Sequence, residues 1–382
     1  MRILLVGEYN RSHYFLKQGL QMLGHEATTI GLTDGFKKVT VDIEIKHYFQ
    51  SRFTKKIRSL FFKLLKIDLH SLSVKRQITK LSSELSNYDC IQFINEASFL
   101  CQPNTEIWLF DFIKSRNKKV FLLSCGMDYI SVLYAFNKKF RYSILTPFFE
   151  NKVSEKDFYS VLKYLQPSYK KLHEHIFSHI DGVISSDLDY HLPLIGHKKY
   201  LGMVPNPINT DTITYIKPDI DGKIKIFHGI NLSNYYKKGN DIFEKALEIV
   251  SLKYADKIDI KTVRSIPYKD YIKAFDDAHI LLDMVYAYDQ GFNALEAMAK
   301  GKVVFTGAEQ EWLEYYQLEE DTIAINALPD ASAIAKKLEW LIENPSKIVE
   351  ISLNARAFIE KEHHYVNRAT SYLEKWSLKT NS

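Results

Sequence analysis

Short apolar runs bounded by polar turns alternate with segments of helical period along most of this chain, and that rhythm constrains its fold more than any other feature. Ile3 to Val6 reads as a buried strand, and His13 to Leu23 carries Tyr14, Phe15, Leu20, Met22 and Leu23 in helical spacing before Gly24 stops it. Further strands are predicted at Ala27 to Ile30, Cys90 to Phe93, Val120 to Leu123 and Val183 to Ser185. Strands separated by helices must return in the same direction, which gives a mostly parallel sheet covered by helices. A second set follows the Pro-punctuated turn Val204-Pro205-Asn206-Pro207. Its strands are predicted at Lys225 to Phe227, Ile258 to Lys261, Ile280 to Leu282 and Val303 to Phe305, its helices at Asp241 to Lys253, Tyr268 to Asp276, Ala294 to Lys300 and Ala331 to Glu343. The expected class is therefore α/β, with two doubly wound Rossmann-like domains, 1–205 and 206–362, facing a central cleft. The stretch Lys347 to Trp376 is helical in period, and the end of the chain, 363–382, is expected to pack back across the domains.

Composition removes several alternatives. Gly and Pro total 15 and 10 of 382 residues while aromatics reach 13%, which excludes a low-complexity or linker-dominated chain. The 3 cysteines, Cys90, Cys101 and Cys125, form no CxxC pair, which argues against a disulfide framework or a cysteine zinc site and for a reducing compartment. The N-terminal apolar run is too short for a signal peptide, and nowhere do about 18 apolar residues run together, so a cytoplasmic protein without a membrane span is expected. Net charge is +5, unevenly spread: residues 1–180 hold 27 Lys/Arg against 16 Asp/Glu, leaving 24 against 30 for the rest. Between Lys46 and Lys80, Lys46, Arg52, Lys55, Lys56, Arg58, Lys63, Lys66, Lys75, Arg76 and Lys80 face only Asp68, and such a stretch seeks an anionic surface.

Four loops at strand ends carry residue types suited to chemistry. Gly7-Glu8-Tyr9-Asn10-Arg11-Ser12-His13 stands where a dinucleotide fold places GxGxxG but has only the first glycine, so neither NAD nor FAD is expected. Glu8 and His13 are either sugar contacts, or a solvated carboxylate and the opening residue of the first helix. Gly126 and Asp128, after the strand ending at Leu123, suit sugar hydroxyls or, equally, a glycine turn with Asp128 as helix N-cap. In the second domain Gly229 ends the first strand, and Lys237-Lys238-Gly239 opens a helix. An ammonium beside free helix N–H groups favours a diphosphate, and a solvated turn is the plainer reading. Asp289-Gln290-Gly291-Phe292-Asn293 then leads into a helix with Glu296 in its first turn, placed to accept two hydrogen bonds from a ribose diol or to form a capping box with Asn293.

Gly291 to Val304 resembles the signature of retaining GT-B glycosyltransferases of the GT4 type, in which a glycine-led loop runs into L-E-A-M-A-x-G-x-P-V. Three further stretches match in order: Met1 to Thr28 is similar to their opening strand, loop and helix ending L-G-H-E-V-T, Val204 to Asn209 resembles V-P-N-G-I-D, and Lys238-Gly239 resembles K-G. The resemblance implies a GT-B fold and transfer of a sugar, with retention, from a nucleotide-sugar co-substrate, without metal or other cofactor. It implies that Lys238 contacts the donor diphosphate and Glu296 the ribose, with Gly229, Lys237, Gly239, Asp289, Gln290, Gly291, Phe292 and Asn293 around the donor. Lys238 and His13 are the expected catalytic pair, and Gly7, Glu8, His13, Gly126 and Asp128 the expected acceptor side of the cleft.

Two departures stand out. Ile230 occupies the place of the family's Arg, so one diphosphate cation must come from Lys237, Arg264 or elsewhere. Tyr288 stands where the family's E-x7-E pair begins, leaving Asp289 or Gln290 as the substitute. The expected role is in bacterial surface polysaccharide or lipid-linked glycan assembly, with a glycan or lipid-linked acceptor. A nucleotide-sugar 2-epimerase and an inactive binding scaffold are the alternatives. The segment 46–80 interleaves Leu60, Phe61, Phe62, Leu64, Leu65 and Ile67 with cations, which suits a helix lying on anionic phospholipid, peripheral to a membrane. No recognition motif for nucleic acid accompanies the charge.

Overall fold

The computed structural model describes residues 1–32, 39–49 and 51–378. Two parallel sheets organise the chain. The first contains β1 (Arg2–Val6), β2 (Glu26–Gly31), β3 (Ile43–Glu44), β4 (Cys90–Phe93), β5 (Lys119–Ser124), β6 (Gly182–Ser185) and β7 (Tyr200–Met203), in the order β3-β2-β1-β4-β5-β6-β7. The second contains β8 (Ile224–Ile230), β9 (Ile258–Arg264), β10 (Ile280–Leu282), β11 (Val303–Thr306) and β12 (Ile325–Asn326), in the order β12-β11-β10-β8-β9. Every pairing is parallel. This is the GT-B arrangement foreseen in the sequence.

The central strands are apolar because helices cover both faces: Ile3, Leu4, Leu5 and Val6 are fully buried, as are Val303, Val304 and Phe305. Each sheet reverses its strand order once, between β1 and β4 in the first and between β8 and β10 in the second. Ligands bind beyond the carboxyl ends of the strands at such reversals. The loops after β1, β8 and β10 are therefore the places to look for a site.

Three strands escape the sequence reading, each for a visible reason. β3 and β12 are two-residue edges, and β7 (YLGM) contains Gly202 and only one buried residue, so neither an apolar run nor an alternation marks it. The tail is two helices, Pro345–Glu362 and Tyr365–Ser377, interrupted at His363 and His364. The last helix returns to the first domain and packs on helix Ser12–Met22. The approach is close: a Cβ on Gly19 would lie 2.3 Å from the Tyr365 carbonyl oxygen. The Trp376 indole donates to Gln92 Oε1 at 3.2 Å, and Lys119 Nζ donates to the Trp376 carbonyl at 2.9 Å. Cys90, Cys101 and Cys125 are buried thiols.

Candidate active site

A cavity of about 570 Å³ opens at the reversal point of the second sheet, lined among others by Gly229, Lys238, Asp283, Asn293 and Glu296, with Asn10 reaching it from the first domain. Glycines let the chain pack closely beside this space. A Cβ on Gly229 would come within 2.5 Å of the Tyr271 ring, and Gly239 sits in the left-handed region (φ 71°), where it starts helix Asn240–Tyr254 with Lys238 just outside.

Lys238 Nζ donates to Asp283 Oδ1 at 2.8 Å, and Asn293 Nδ2 donates to the same oxygen at 2.9 Å. Tyr271 Oη in turn donates to Asn293 Oδ1 at 3.1 Å. Asp283 is buried, so its carboxylate holds the lysine head in place while the lysine side chain stays partly open to the cavity. A charged pair braced by a neutral amide is a rigid donor cluster, the kind of arrangement that stabilises developing negative charge without reorganising. Beside it, helix Phe292–Ala299 begins with Gly291 as N-cap and no side chain closing its end, leaving backbone N–H groups at the cavity wall.

Glu296 lies in the second turn of that helix rather than the first, because the helix begins at Phe292. It does not form a capping box with Asn293. Asn293 is committed to Tyr271 and Asp283, while Glu296 Oε1 accepts from Arg11 Nη1 at 3.0 Å, an ion pair joining the two domains. Arg11 is itself held in the left-handed region (φ 75°) at the N-cap of helix Ser12–Met22. Of the cations considered for the place left by Ile230, Arg264 turns to Glu244, and Lys237 has its pKa lowered by burial and lies outside the cavity lining. The cation that comes to this site is Arg11, which sequence reading passed over as part of a loop.

Asp289 and Gln290 do not line this cavity. They border a smaller one of about 170 Å³ on the seam between the domains, which shares Met284 and Gly291 with the first. Asp289 Oδ2 accepts from the Leu188 amide at 3.1 Å and Oδ1 from the Gln290 amide at 2.6 Å. Asp189 faces it, accepting from the Tyr288 amide at 3.2 Å, and Asp187 lines the same space. Burial raises all three carboxyls and their mutual charge raises Asp187 and Asp189 further, to about 7 for Asp189, while Asp289 reaches about 6. Neither Asp187 nor Asp189 stands out in the sequence, since both sit in an ordinary Ser-Asp-Leu-Asp helix start.

The first-domain candidates occupy different surroundings. His13 is fully buried: Nδ1 donates to the Gly7 carbonyl at 2.8 Å and Nε2 accepts from Gln92 Nε2 at 3.1 Å, and burial lowers its pKa to about 4. The imidazole is a neutral core bracket, and the expectation that it meets a substrate gives way to the plainer reading that it opens the first helix. Glu8 is buried rather than solvated, and its Oε2 accepts from the Tyr14 amide at 2.7 Å, satisfying one of the helix's orphan donors. Gly7 has φ 86° and packs against Ile94. Asp128 is buried in a capping box with Ser131, and its other oxygen accepts from Ser124 Oγ at 2.7 Å. Gly126 provides the left-handed turn before it (φ 68°).

Residues 235–374 match the glycosyl transferase-like family model. No curated protein matches the chain. Among solved structures, similarity extends over the whole chain. Sucrose-phosphate synthase from Thermosynechococcus elongatus shares 13% identity over 98% of each chain with TM-score 0.60. HepE from Anabaena, solved with UDP and glucose, shares 13% identity over 99% of each chain with TM-score 0.58. A variant of TarM from S. aureus, solved with fondaparinux, alpha-GlcNAc-glycerol and UDP, shares 10% identity over 99% of each chain with TM-score 0.61. At these identities the likeness is one of fold.

Proposed function

We propose that this chain is a retaining glycosyltransferase of the GT4 type that moves a sugar from a nucleotide-sugar donor to a glycan or lipid-linked acceptor in surface polysaccharide assembly. The observation that carries the reading is the single cavity at the second sheet's reversal point, where Lys238, the open N-terminus of helix Phe292–Ala299 and Glu296 stand together. The glycosyl transferase-like match over the same domain supports it, as does the fold shared with HepE and TarM, both solved with UDP.

In this reading Glu296 receives the ribose diol, displacing Arg11, and the diphosphate lies between Lys238 and the helix N-terminus. Breaking the bond from the anomeric carbon to the phosphate oxygen sends its electron pair to the diphosphate, while positive charge grows on the sugar ring. An ammonium and backbone N–H groups aimed at the diphosphate gain most as that charge develops, so they lower the barrier rather than only tightening binding. The acceptor oxygen forms the new bond to the anomeric carbon, and its proton leaves with the phosphate or to solvent. A lipid-linked acceptor would bring the protein to a membrane face, and residues 46–80 offer the contact.

The test is a thermal-shift screen against UDP-, GDP-, ADP- and dTDP-sugars followed by product analysis with the stabilising donor. A ligand that prefers the folded state raises Tm. Release of nucleoside diphosphate with a sugar of retained configuration on an acceptor supports the proposal. Conversion of the donor's sugar without any acceptor assigns an epimerase instead, and stabilisation with no turnover assigns a binding scaffold.

A further inference from the structure

Helix Arg52–Leu65 is well formed yet contributes no residue to the core. Ser51 caps its start by accepting from the Thr54 amide at 3.1 Å, Lys66 ends it in the left-handed region, and among the described residues it is the one α-helix without a single buried side chain. Isolated helices of this length are marginal in water, so a helix that buries nothing needs another source of stabilisation. Arg58 ties it to the domain through an ion pair with Asp68, whose carboxylate also caps the following helix, Leu69–Lys80.

The exposed surface is largely sorted by chemistry, with exposed Phe62 and Leu65 standing off the main apolar ridge. Phe53, Ile57, Leu60, Phe61 and Leu64 recur at helical spacing and form one apolar ridge, with Phe53 and Leu64 each 72% exposed. Lys56 and Lys63 flank that ridge, and Arg52, Lys55 and Lys66 occupy the face beyond it. No acidic residue interrupts the run from Arg52 to Ile67. Ile67 and Leu72 beyond the helix are exposed as well, and a groove of about 410 Å³ is bordered by Tyr48, Leu72, Arg76 and Lys80.

We propose that this helix is a membrane-surface anchor whose apolar ridge enters the headgroup boundary of an anionic phospholipid layer while its lysines meet the lipid phosphates. A helix with a large apolar ridge and a strongly cationic face lies in the plane of an interface, held by buried area and by attraction to anionic lipid together. A second copy of the chain would set like charges against like. A nucleic acid would satisfy the cations and leave Phe53, Leu60 and Leu64 in water. No helix among the described residues is long and apolar enough to cross a membrane, so the contact is superficial. The anchor stands on the helix alone, and its service to a lipid-linked acceptor rests on the function proposed above.

The experiment is sedimentation of the full chain with vesicles of phosphatidylcholine alone or mixed with phosphatidylglycerol, at low and high salt, with donor hydrolysis and Tm recorded in parallel. The parent should partition onto the mixed vesicles and scarcely onto the neutral ones. Lys55→Gln/Lys56→Gln/Lys63→Gln should lower that partition on the order of a hundredfold. Phe53→Ser/Leu60→Ser/Leu64→Ser should remove the fraction that resists salt. Both variants should keep Tm and donor hydrolysis, because none of these residues touches the core or the cavity. Equal partition onto neutral vesicles, no sedimentation, or charge variants that bind like the parent would overturn the anchor. So would a parent dimer that the serine variant dissolves. Loss of donor hydrolysis in the parent bears on the proposed function and leaves the anchor standing.

Discussion

The loop after β1 and the loop after β8 look alike as sequence, each a glycine with charged residues at the carboxyl end of a strand beside a sheet reversal, yet the folded chain treats them in opposite ways. After β1, Glu8 and His13 are consumed by the backbone: one closes a helix end and the other brackets Gly7 to Gln92. After β8 and β10, Lys238, Asp283 and Asn293 satisfy each other at a cavity wall. Polar groups that bond to backbone hold the fold, while polar groups that bond to one another beside open space can exchange partners for a ligand. The β1 loop contributes to the site through Asn10, which lines the cavity, and through Arg11, whose partner is a side chain of the other domain.

The largest expected effect lies on the cavity side of this contrast. Lys238→Ala should lower kcat/KM for donor hydrolysis or transfer by roughly a hundred- to a thousandfold, the usual cost of one donor aimed at a developing oxyanion. Asp283 is left with Asn293 as its side-chain partner, so some stability is lost as well, and Lys238→Arg separates the two by restoring charge. A Lys238→Ala enzyme that turns over like the parent would move the site elsewhere.

His13→Ala probes the other side and should do the reverse: a loss of about 3 kcal/mol in unfolding free energy, from a core cavity and an unpartnered Gly7 carbonyl, with kcat/KM within a fewfold of the parent. The measurement is denaturant unfolding beside steady-state kinetics. A variant that folds as stably as the parent but loses turnover would return His13 to catalysis and erase the contrast.

These two outcomes also mark what was legible in the sequence. Nine strands, the two-sheet division of the chain and the returning last helix follow from apolar runs and periodicity, because burial on both faces leaves a continuous signal in residues such as Ile3 to Val6 and Val303 to Phe305. That Lys238, Gly229 and Glu296 share one cavity wall is legible because a helix start or a strand end fixes where a side chain or backbone emerges. The roles of His13 and Asp128 are not, because a histidine or aspartate at such a position serves a cap as readily as a ligand, and only the surrounding packing decides. Asp283 was missed although it obeys the rule that pointed to Asp128, a carboxylate just past a buried strand. Arg11 and Asp189 matter through partners 285 and 99 residues away, separations that no local pattern records.

The seam between the two regions gives the third prediction. Asp189 has a folded pKa raised to about 7 by burial and then by Asp289, against an ordinary value near 3.9. A raised carboxyl binds more protons folded than unfolded between those values, so its contribution falls as pH rises from about 4 to about 7. His13 and His363, both lowered to about 4, act in the opposite sense between about 4 and 6.5, where acid destabilises them. The parent's own profile therefore mixes both signs, and the difference between parent and Asp189→Asn isolates one. The variant should gain on the parent progressively from about pH 4, by about 2 to 3 kcal/mol more between pH 5 and pH 8 in urea unfolding. A difference that does not change with pH would mean that the seam carboxyls ionise freely.

The smallest effect is the most informative, because it concerns a residue of the β1 loop that pairs with a side chain at the cavity. Arg11 Nη1 holds Glu296 Oε1, the oxygen that a ribose diol would take, and the arginine side chain is itself about a quarter exposed at 28%. A nucleoside must displace this guanidinium, whereas a nucleoside diphosphate brings two anionic groups that a displaced arginine can follow. Glu296→Ala should weaken both ligands by about tenfold, the loss of a charge-assisted bond to the diol. Arg11→Ala should tighten the nucleoside by about two- to threefold, since its competitor is gone, and weaken the diphosphate by a similar factor. Calorimetry with uridine and UDP, or with the nucleoside and diphosphate of whichever donor stabilises the protein, reads both signs in one experiment. Equal shifts for the two ligands would reduce Arg11 to an interdomain strut, and the contrast between a structural β1 loop and a ligand-facing β8 loop would then hold without exception.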